Sequence, residues 1–501
     1  MKQSEKGSVT MVVVVTIFFI VILLSSFFIY TTSRRRAQLE ETQRIANAYD
    51  GDMNEIYEKI SEEDKQIEFD TAYGRIEVIW LDTNNNVINE PNSPASHLGG
   101  MTPVYWTGAP GNYEEHQSND ITNNANNTWY SYTSINGTNE NTTSRWANAI
   151  DSNGNYFVWV PRYAYRITYY GTSDRNVPTG YYDGRGLVDS KGEPVTEIDG
   201  YAINGSLEQG IETVEYNGKS YIVHPAFMND FSDDGDNTND YTHGGWDSDL
   251  AGIWVGKYAT SGSKEELRII PNNEYLTEGV SNSYDFAKGY NRNGDPDGNL
   301  NGLDSHLMKN SEWGATAYLT YSQYGRNGYN VATSNSMRTG YFVEEDGNDE
   351  LIPKYEYNTE NGIKSSSTGN VYGIYDLSGG AYEYVAAWNT KLNSLGEENS
   401  FVNSNGLSSK YATAYSEDRS ENYDSMLYDV GKTGDATKET YIVGQGINWD
   451  GDNPFLFSDV QENAFFTRGG NYSFFTAGIF ASEEEGEYGS NLSSFRVILS
   501  E

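Results

Sequence analysis

The chain has 501 residues, no cysteine and a formal net charge of -39 at pH 7. This length is sufficient for a large core and for more than one structural unit. The negative charge argues against nucleic acid as a partner, and the lack of cysteine excludes disulfides, thiolate nucleophiles and thiolate metal sites.

The first predicted element is an apolar segment near the N-terminus. Residues 7–33 carry no charged side chain, and Val12–Ile29 consists almost wholly of Val, Ile, Leu and Phe. About 20 apolar residues span a bilayer as a helix, and no small-residue cleavage site follows the run. We therefore expect a transmembrane helix at 8–33, in contact with the lipid bilayer. The composition of the following region favours a single-pass bacterial cell-membrane protein with its C-terminal domain outside.

The residues around this segment resemble the N-terminus of type IV pilin-like proteins. Lys6 and Gly7 precede Ser8, as at a prepilin peptidase site. The resemblance implies a leader at residues 1–7, processing between Gly7 and Ser8, and pilin-like subunits as partners. Those pilins usually carry Glu at the fifth mature position, which is Val12 here, so a plain membrane anchor is the alternative to assembly.

Residues 34–65 are expected to continue the anchor as a helical stalk. Apolar residues recur there at three- and four-residue spacing, which is typical of one helix face. They are Leu39, Ala46, Tyr49, Met53, Ile56 and Ile60. The stripe is too short for a coiled coil, so it is expected to pack on its own domain or on a neighbouring subunit.

An accessory region rich in Asn and Gly is predicted at residues 66–154. Arg75–Leu81 alternates like a strand, and Asp82–Asn86 has the composition of a turn. Residues 84–145 fit either a long decorated loop or a set of short strands at the edge of the core.

Residues 155–501 contain short blocks of glycine, aromatic and charged residues. The central block, Gly373–Val385, reads Gly-Ile-Tyr-Asp-Leu-Ser-Gly-Gly-Ala-Tyr-Glu-Tyr-Val, with a turn at Ser378–Gly380 and a strand-like run after it. The other blocks are Phe157–Pro161, Gly252–Tyr258, Leu307–Ala315, Arg468–Tyr472 and Ser494–Leu499.

These blocks resemble signatures of the formylglycine-generating-enzyme-like (sulfatase-modifying factor) family. The core of that family has a C-type-lectin-like fold, with a helix where this chain has Leu307–Ala315. The resemblance implies an α+β fold class: an irregular, loop-rich lectin-like domain at 155–501, behind the transmembrane helix and stalk. It implies nothing about activity, because one fold hosts many functions.

The family's chemistry does not carry over to this chain. Formylglycine-generating members hold copper with a pair of cysteines, and the absence of cysteine excludes cysteine-bound copper here. Iron-dependent relatives use clustered histidines, but the five histidines of this chain have no i, i+3 or i, i+4 pairing. We predict a non-catalytic protein, and a metal-dependent oxidoreductase of the same family is an alternative.

Acidic runs supply candidate ligands for structural calcium. Carboxylate oxygens suit this ion, although neither run has the EF-hand spacing. The runs contain Asp233, Asp236, Asp295 and Asp297. The family resemblance implies calcium near the central block, where Glu383 matches and Gly380 replaces the usual Asn. The alternative is that the acidic runs are solvated loops.

A ligand-facing surface is predicted between the last two blocks. Aromatic faces stack on sugar rings, and Asn or Ser side chains reach hydroxyl groups. In related lectin-like proteins this terminal region faces the ligand. The predicted ligand-binding residues are Asn471, Tyr472, Tyr488, Ser490, Asn491, Tyr382 and Glu383. For alternating apolar positions such as Ile479, packing in the core is the favoured interpretation.

These features together predict an adhesin-like, membrane-anchored surface protein whose lectin-like ectodomain recognises a glycan or a protein. A structural or tip subunit of a type IV pilus-like assembly is the first alternative.

Overall fold

The described residues all belong to one compact unit of the chain, Asp70–Glu501. The computed structural model describes residues 74–134, 143–169, 180–182, 187–189, 197–198, 201–202, 210–230, 244–291, 300–334, 336–343, 354–389, 410–415, 431–437, 439–442, 447–448, 465–471, 477–485 and 493–501.

Short β-strands make up most of the regular structure. In chain order they begin with β1 Gly74–Leu81, β2 Val87–Ile88, β3 Thr102–Thr107, β4 Glu114–Gln117, β5 Asn148–Ile150, β6 Tyr156–Pro161, β7 Tyr163–Tyr169, β8 Gly180–Tyr182, β9 Leu187–Asp189, β10 Glu197–Ile198, β11 Tyr201–Ala202, β12 Thr213–Tyr216, β13 Lys219–Val223 and β14 Gly252–Gly256. They continue with β15 Ser261–Ser263, β16 Glu266–Arg268, β17 Asp304–Leu307, β18 Tyr341–Val343, β19 Lys354–Glu356, β20 Tyr382–Asn389, β21 Thr413–Tyr415, β22 Tyr441–Ile442, β23 Ile447–Asn448, β24 Phe465–Arg468, β25 Ser482–Glu485, β26 Ser493–Phe495 and β27 Val497–Ser500.

The helices are few among the described residues. The α-helices are α1, Val280–Gly289, and α2, Asn310–Tyr321. The short 3₁₀ helices are Pro94–His97, Asn119–Ile121, Pro225–Phe227 and Gly362–Ser365.

The predicted fold class is therefore wrong in its helical part. The described residues are mostly β-sheet, and no helix among them is long and apolar enough to cross a membrane. The segments assigned to the leader, the transmembrane helix and the stalk, residues 1–7, 8–33 and 34–65, lie outside the described residues. The membrane and transmembrane-helix predictions therefore find no support in the part of the chain that the structure describes.

The centre of the described unit is one antiparallel sheet, in the order β17-β27-β14-β6-β5-β3-β4, called the central sheet below. Alternate residues of a strand point to opposite faces of a sheet. Val158, Val160 and Ile253 accordingly join one hydrophobic core, whereas Trp159 and Trp254 join another. With a core on each face, the middle strands are almost uniformly apolar.

Two further sheets contain more than two strands, and along the chain their strands alternate in groups with those of the central sheet. The outer sheet has the order β12-β13-β7-β1-β2, with β8 and β9 added beyond β7. The signature sheet has the order β21-β20-β24-β25, and β26 pairs with β20 in parallel. Because β26 and β27 are separated only by Arg496, the chain passes directly from the signature sheet into the central sheet at that residue.

Helix α2 is buried along its whole length. Trp313, Tyr318 and Leu319 pack in the core that also contains Val158 and Ile253. Because the helix is buried on all sides, its apolar residues do not have to form a single stripe.

Several local predictions are confirmed. The strand predicted at Arg75–Leu81 is β1, and the strand predicted after the turn of the central block is β20. The block predicted to be helical, Leu307–Ala315, contains the beginning of α2. Residues 84–134 contain short strands and 3₁₀ helices, with β2 at the edge of the outer sheet and β3 and β4 at the edge of the central sheet, so the short-strand alternative holds there. The ranges 66–154 and 155–501 share sheets, since β1 pairs with β7 and β5 with β6.

Candidate functional site

Glu383, predicted to bind ligand or calcium, lies in the core and is paired with Arg496. It is 1% exposed, and Arg496 is fully buried. The Arg496 Nε donates to Glu383 Oε2 at 2.9 Å, and Nη2 donates to Oε1. Burial raises the pKa of the Glu383 carboxyl to about 7, and the Arg496 charge acts in the opposite direction. This geometry gives Glu383 a structural role within the fold.

The remaining donors of Arg496 hold two neighbouring chain segments. Nη1 donates to the Gly256 carbonyl at the end of β14, and Nη2 donates to the Tyr375 carbonyl at 3.0 Å. The planar guanidinium thus connects the central sheet, the central block and β20 at one point.

Asp376 supports the turn of the central block from inside. Its backbone has φ 65°, and its carboxylate accepts the N–H of Gly340 at 2.8 Å and the N–H of Ala259 at 3.3 Å. Burial raises the pKa of Asp376 to about 6, although these two donors and Arg496 favour the charged form. Asp376 therefore holds the segments that contain Gly340 and Ala259 next to the central block.

Two more of the predicted ligand-binding residues are also buried. Asn471 is 0% exposed and Tyr382 is 7% exposed. Asn471 follows a turn at Gly469–Gly470, in which Gly470 has φ 69°, and a Cβ on Gly470 would lie 2.5 Å from the Ala477 Cα. The glycine is required by that close approach.

The other predicted site residues lie outside the described residues. They are Tyr472, Tyr488, Ser490 and Asn491 for ligand, Asp233, Asp236, Asp295 and Asp297 for calcium, and Gly7 and Ser8 for processing. Within the described ranges no group of three or more His, Asp or Glu side chains could hold a metal ion. Calcium binding by the acidic runs stays a prediction.

Lys257, in the block Gly252–Tyr258, is a fully buried cation. Its Nζ donates to Asn148 Oδ1 at 2.8 Å, to the Val371 carbonyl at 2.7 Å and to the Gly373 carbonyl at 2.9 Å. Burial lowers the pKa of the Lys257 amine well below its ordinary value. All three protons of an ammonium group have acceptors here, so Lys257 ties β5 to the segment before the central block.

A second buried charged group lies at the start of α2. The His306 Nε2 is 2.9 Å from Glu312 Oε1, and Glu312 Oε2 accepts the backbone N–H of Lys309 at 2.8 Å. Burial acts to raise the pKa of Glu312, but His306 and Lys309 hold it below its ordinary value. Burial lowers the pKa of Lys309 to about 8. Glu312 thereby caps the helix, and its carboxylate also contacts the side chains of His306 and Lys309.

A cleft of about 140 Å³ opens where β14 begins and β27 ends. Its rim carries carboxylates and hydroxyl groups, and its wall carries aromatic rings. The residues that line the cleft include Thr83, His97, Trp159, Ser248, Asp249, Trp254, Ser500 and Glu501. The charged groups above are enclosed in the core, whereas this cleft is open to a ligand.

Two tryptophans position the segment that closes the cleft. The Trp159 indole N–H donates to the Asn92 carbonyl at 3.0 Å, and the Trp254 indole N–H donates to the His97 carbonyl at 2.6 Å. The His97 ring stacks on Trp159 with 5.2 Å between centroids and 12° between planes. Its Nδ1 lies 2.8 Å from Glu501 Oε1. These contacts bring residues 92–97, Trp159, Trp254 and Glu501 together around the cleft.

Sequence patterns did not single out this cleft. Trp159 and Trp254 were noticed as parts of family-like blocks, whereas Asp249 and Glu501 carry no local signal. Gly252 is the one available clue, since a Cβ there would lie 2.5 Å from the Trp159 ring. The gathering of these residues depends on long-range strand pairing.

Searches against protein-family models and curated proteins find no match to this chain.

Proposed function

We propose that this protein is a non-catalytic, lectin-like recognition protein that binds a glycan. The order and pairing of the family-like blocks support this proposal. The strands β6, β14 and β27 are neighbours, and β20 pairs with both β24 and β26. This compact arrangement leaves recognition to the loops and clefts at its rim.

The observation that carries the proposal is that the buried ionisable side chains among the described residues hold the fold together. Glu383, Glu312 and Lys257 are each enclosed, and each is engaged with groups that hold the fold. A catalytic acid, base or nucleophile must instead reach a substrate. The described feature suited to a ligand is a cleft of rings, hydroxyls and carboxylates, which is the chemistry of noncovalent recognition.

A glycan array probed with the purified full-length chain tests the proposal. Binding is measured with calcium and again with a chelator. We expect selective binding to a subset of glycans, and we expect Tyr472→Ala or Tyr488→Ala to reduce it. Tyr216→Ala, which removes an aromatic side chain on β12 that is 37% exposed, is the matched control. No selective binding under either condition would overturn the proposal.

A further inference from the structure

The cleft presents two carboxylates that are only partly used by the protein. The side chains of Asp249 and Glu501 are 37% and 50% exposed. Asp249 Oδ1 accepts from Arg162 Nη2 at 2.9 Å and from the Asn229 N–H at 3.2 Å. The second oxygen of each carboxylate accepts no hydrogen bond from the described residues, so both are available to a donor in the cleft.

Neutral polar groups add to these acceptors. Thr83, Ser248 and Ser500 line the cleft. Ser500 is 2% exposed, and its hydroxyl has no hydrogen-bond partner among the residues that the structure describes. Burying a polar group without a partner costs free energy, which a ligand hydroxyl would recover.

The size and walls of the cleft limit what can enter. Typical small-molecule pockets measure about 300 to 1,000 Å³, so a cleft of about 140 Å³ holds a single small ring at most. The His97 ring, stacked on Trp159, lines one side of the cleft, and Trp254 packs against Trp159 in the core behind it. The carboxylates attract a cation, and the net charge of -39 acts in the same direction at longer range.

We propose that this cleft binds one amino sugar, with the ammonium group beside Asp249 and Glu501 and the ring hydroxyls beside the serines. The proposal rests on the proposed glycan-binding function and deepens it by naming a class of sugar. The free amine is the distinguishing feature, because glucose and N-acetylglucosamine have a similar ring without the charge.

The test is a calorimetric titration of the full-length chain at pH 6.5 and fixed ionic strength with glucosamine, N-acetylglucosamine and glucose. We expect glucosamine to bind at least tenfold more tightly than either neutral sugar. Glu501→Gln removes a carboxylate whose only ion-pair partner among the described residues is His97, and we expect it to weaken glucosamine binding at least threefold. Glu265→Gln makes the same charge change at a side chain that is 70% exposed outside the cleft, and should leave affinity unchanged.

Ser500→Ala is a second variant that does not change the charge, and we expect it to weaken glucosamine binding. Equal affinity for the three sugars, or an equal effect of Glu501→Gln and Glu265→Gln, would overturn the proposal. Butylammonium binding as tightly as glucosamine would also overturn it, since that result would indicate a site for amines in general. Array binding confined to neutral glycans would overturn this inference while leaving the proposed function intact, whereas no array binding would overturn both.

Discussion

Glu383 and Arg496 form a buried ion pair at the place where the chain passes from the signature sheet into the central sheet. The two residues are 113 positions apart in sequence. Arg496 also donates to carbonyls of Gly256 and Tyr375, so one guanidinium holds three segments together. The central block of the sequence is therefore organised around an internal cation, and its acid is part of the framework.

Replacing Glu383 with Gln should destabilise the protein by about 3 to 5 kcal/mol, because it leaves the buried Arg496 charge uncompensated. The measurement is the free energy of unfolding from urea denaturation. Glu266→Gln breaks an exposed pair with Arg268 and should cost less than about 1 kcal/mol. The structural role of Glu383 would be contradicted by two results together. In chelator, Glu383→Gln would have the same free energy of unfolding as wild type, and in calcium only wild type would gain stability.

The local elements of this fold could be predicted where a short pattern decides them. Alternation in Arg75–Leu81 predicted β1, and the glycine turn after Leu377 predicted the start of β20. The apolar blocks at Phe157–Pro161 and Gly252–Tyr258 contain β6 and β14, which pair with each other. In each case the signal lies within about ten residues.

The partners of the charged residues could not be predicted in the same way. Glu383 between two tyrosines resembles a surface site in sequence, yet its neighbour in space comes from the last strand of the chain. The cleft combines Thr83, Asp249 and Glu501, which strand pairing alone brings together. Burial and long-range register decide these roles, and neither is visible in a short window.

Gly314→Ala in helix α2 should destabilise the protein, although alanine is favoured over glycine in an isolated helix by about 1 kcal/mol. A Cβ at this position would lie 1.9 Å from the Gly434 carbonyl oxygen, so the helix and that loop would have to separate. We expect a loss of about 1 to 3 kcal/mol in the free energy of unfolding.

A helix position with free space is the control for that change. Asn282 is exposed on α1, and Asn282→Ala should change stability by no more than about 0.5 kcal/mol. Gain of stability in Gly314→Ala would show that the loop containing Gly434 does not pack against α2 as described.

Acid should destabilise the protein in part through His224. This ring is fully buried, its Nδ1 accepts the Ala226 N–H at 3.2 Å, and burial lowers its pKa to about 3 from an ordinary value of 6.5. Between these values the unfolded chain binds a proton that the folded chain does not, so stability falls as pH drops. The slope from this group approaches about 1.4 kcal/mol per pH unit.

Comparing wild type with His224→Phe isolates the contribution of His224 to the pH dependence of stability. Asp376 and Glu383 have raised pKa values and act in the opposite direction, so the difference between wild type and His224→Phe across pH 6.5 to 4 is the quantity to measure. We expect the variant to lose less stability on acidification. Phe227→Leu disturbs the same packing without removing a titratable group and should keep the wild-type slope. Parallel curves for wild type and His224→Phe would contradict the assignment.

Lys257→Met should be strongly destabilising, even though methionine is comparable in length to the lysine stem. The change leaves Asn148 Oδ1 and the carbonyls of Val371 and Gly373 without their donor in a fully buried place. Each unpaired buried acceptor costs about 1 to 3 kcal/mol, so we expect a loss of at least about 3 kcal/mol in urea denaturation. Lys264→Met removes a side chain that is 65% exposed and serves as the control, with an expected change within about 0.5 kcal/mol. A Lys257→Met protein as stable as wild type would mean that these carbonyls find other donors, and that the ammonium group does not hold β5 against the central block.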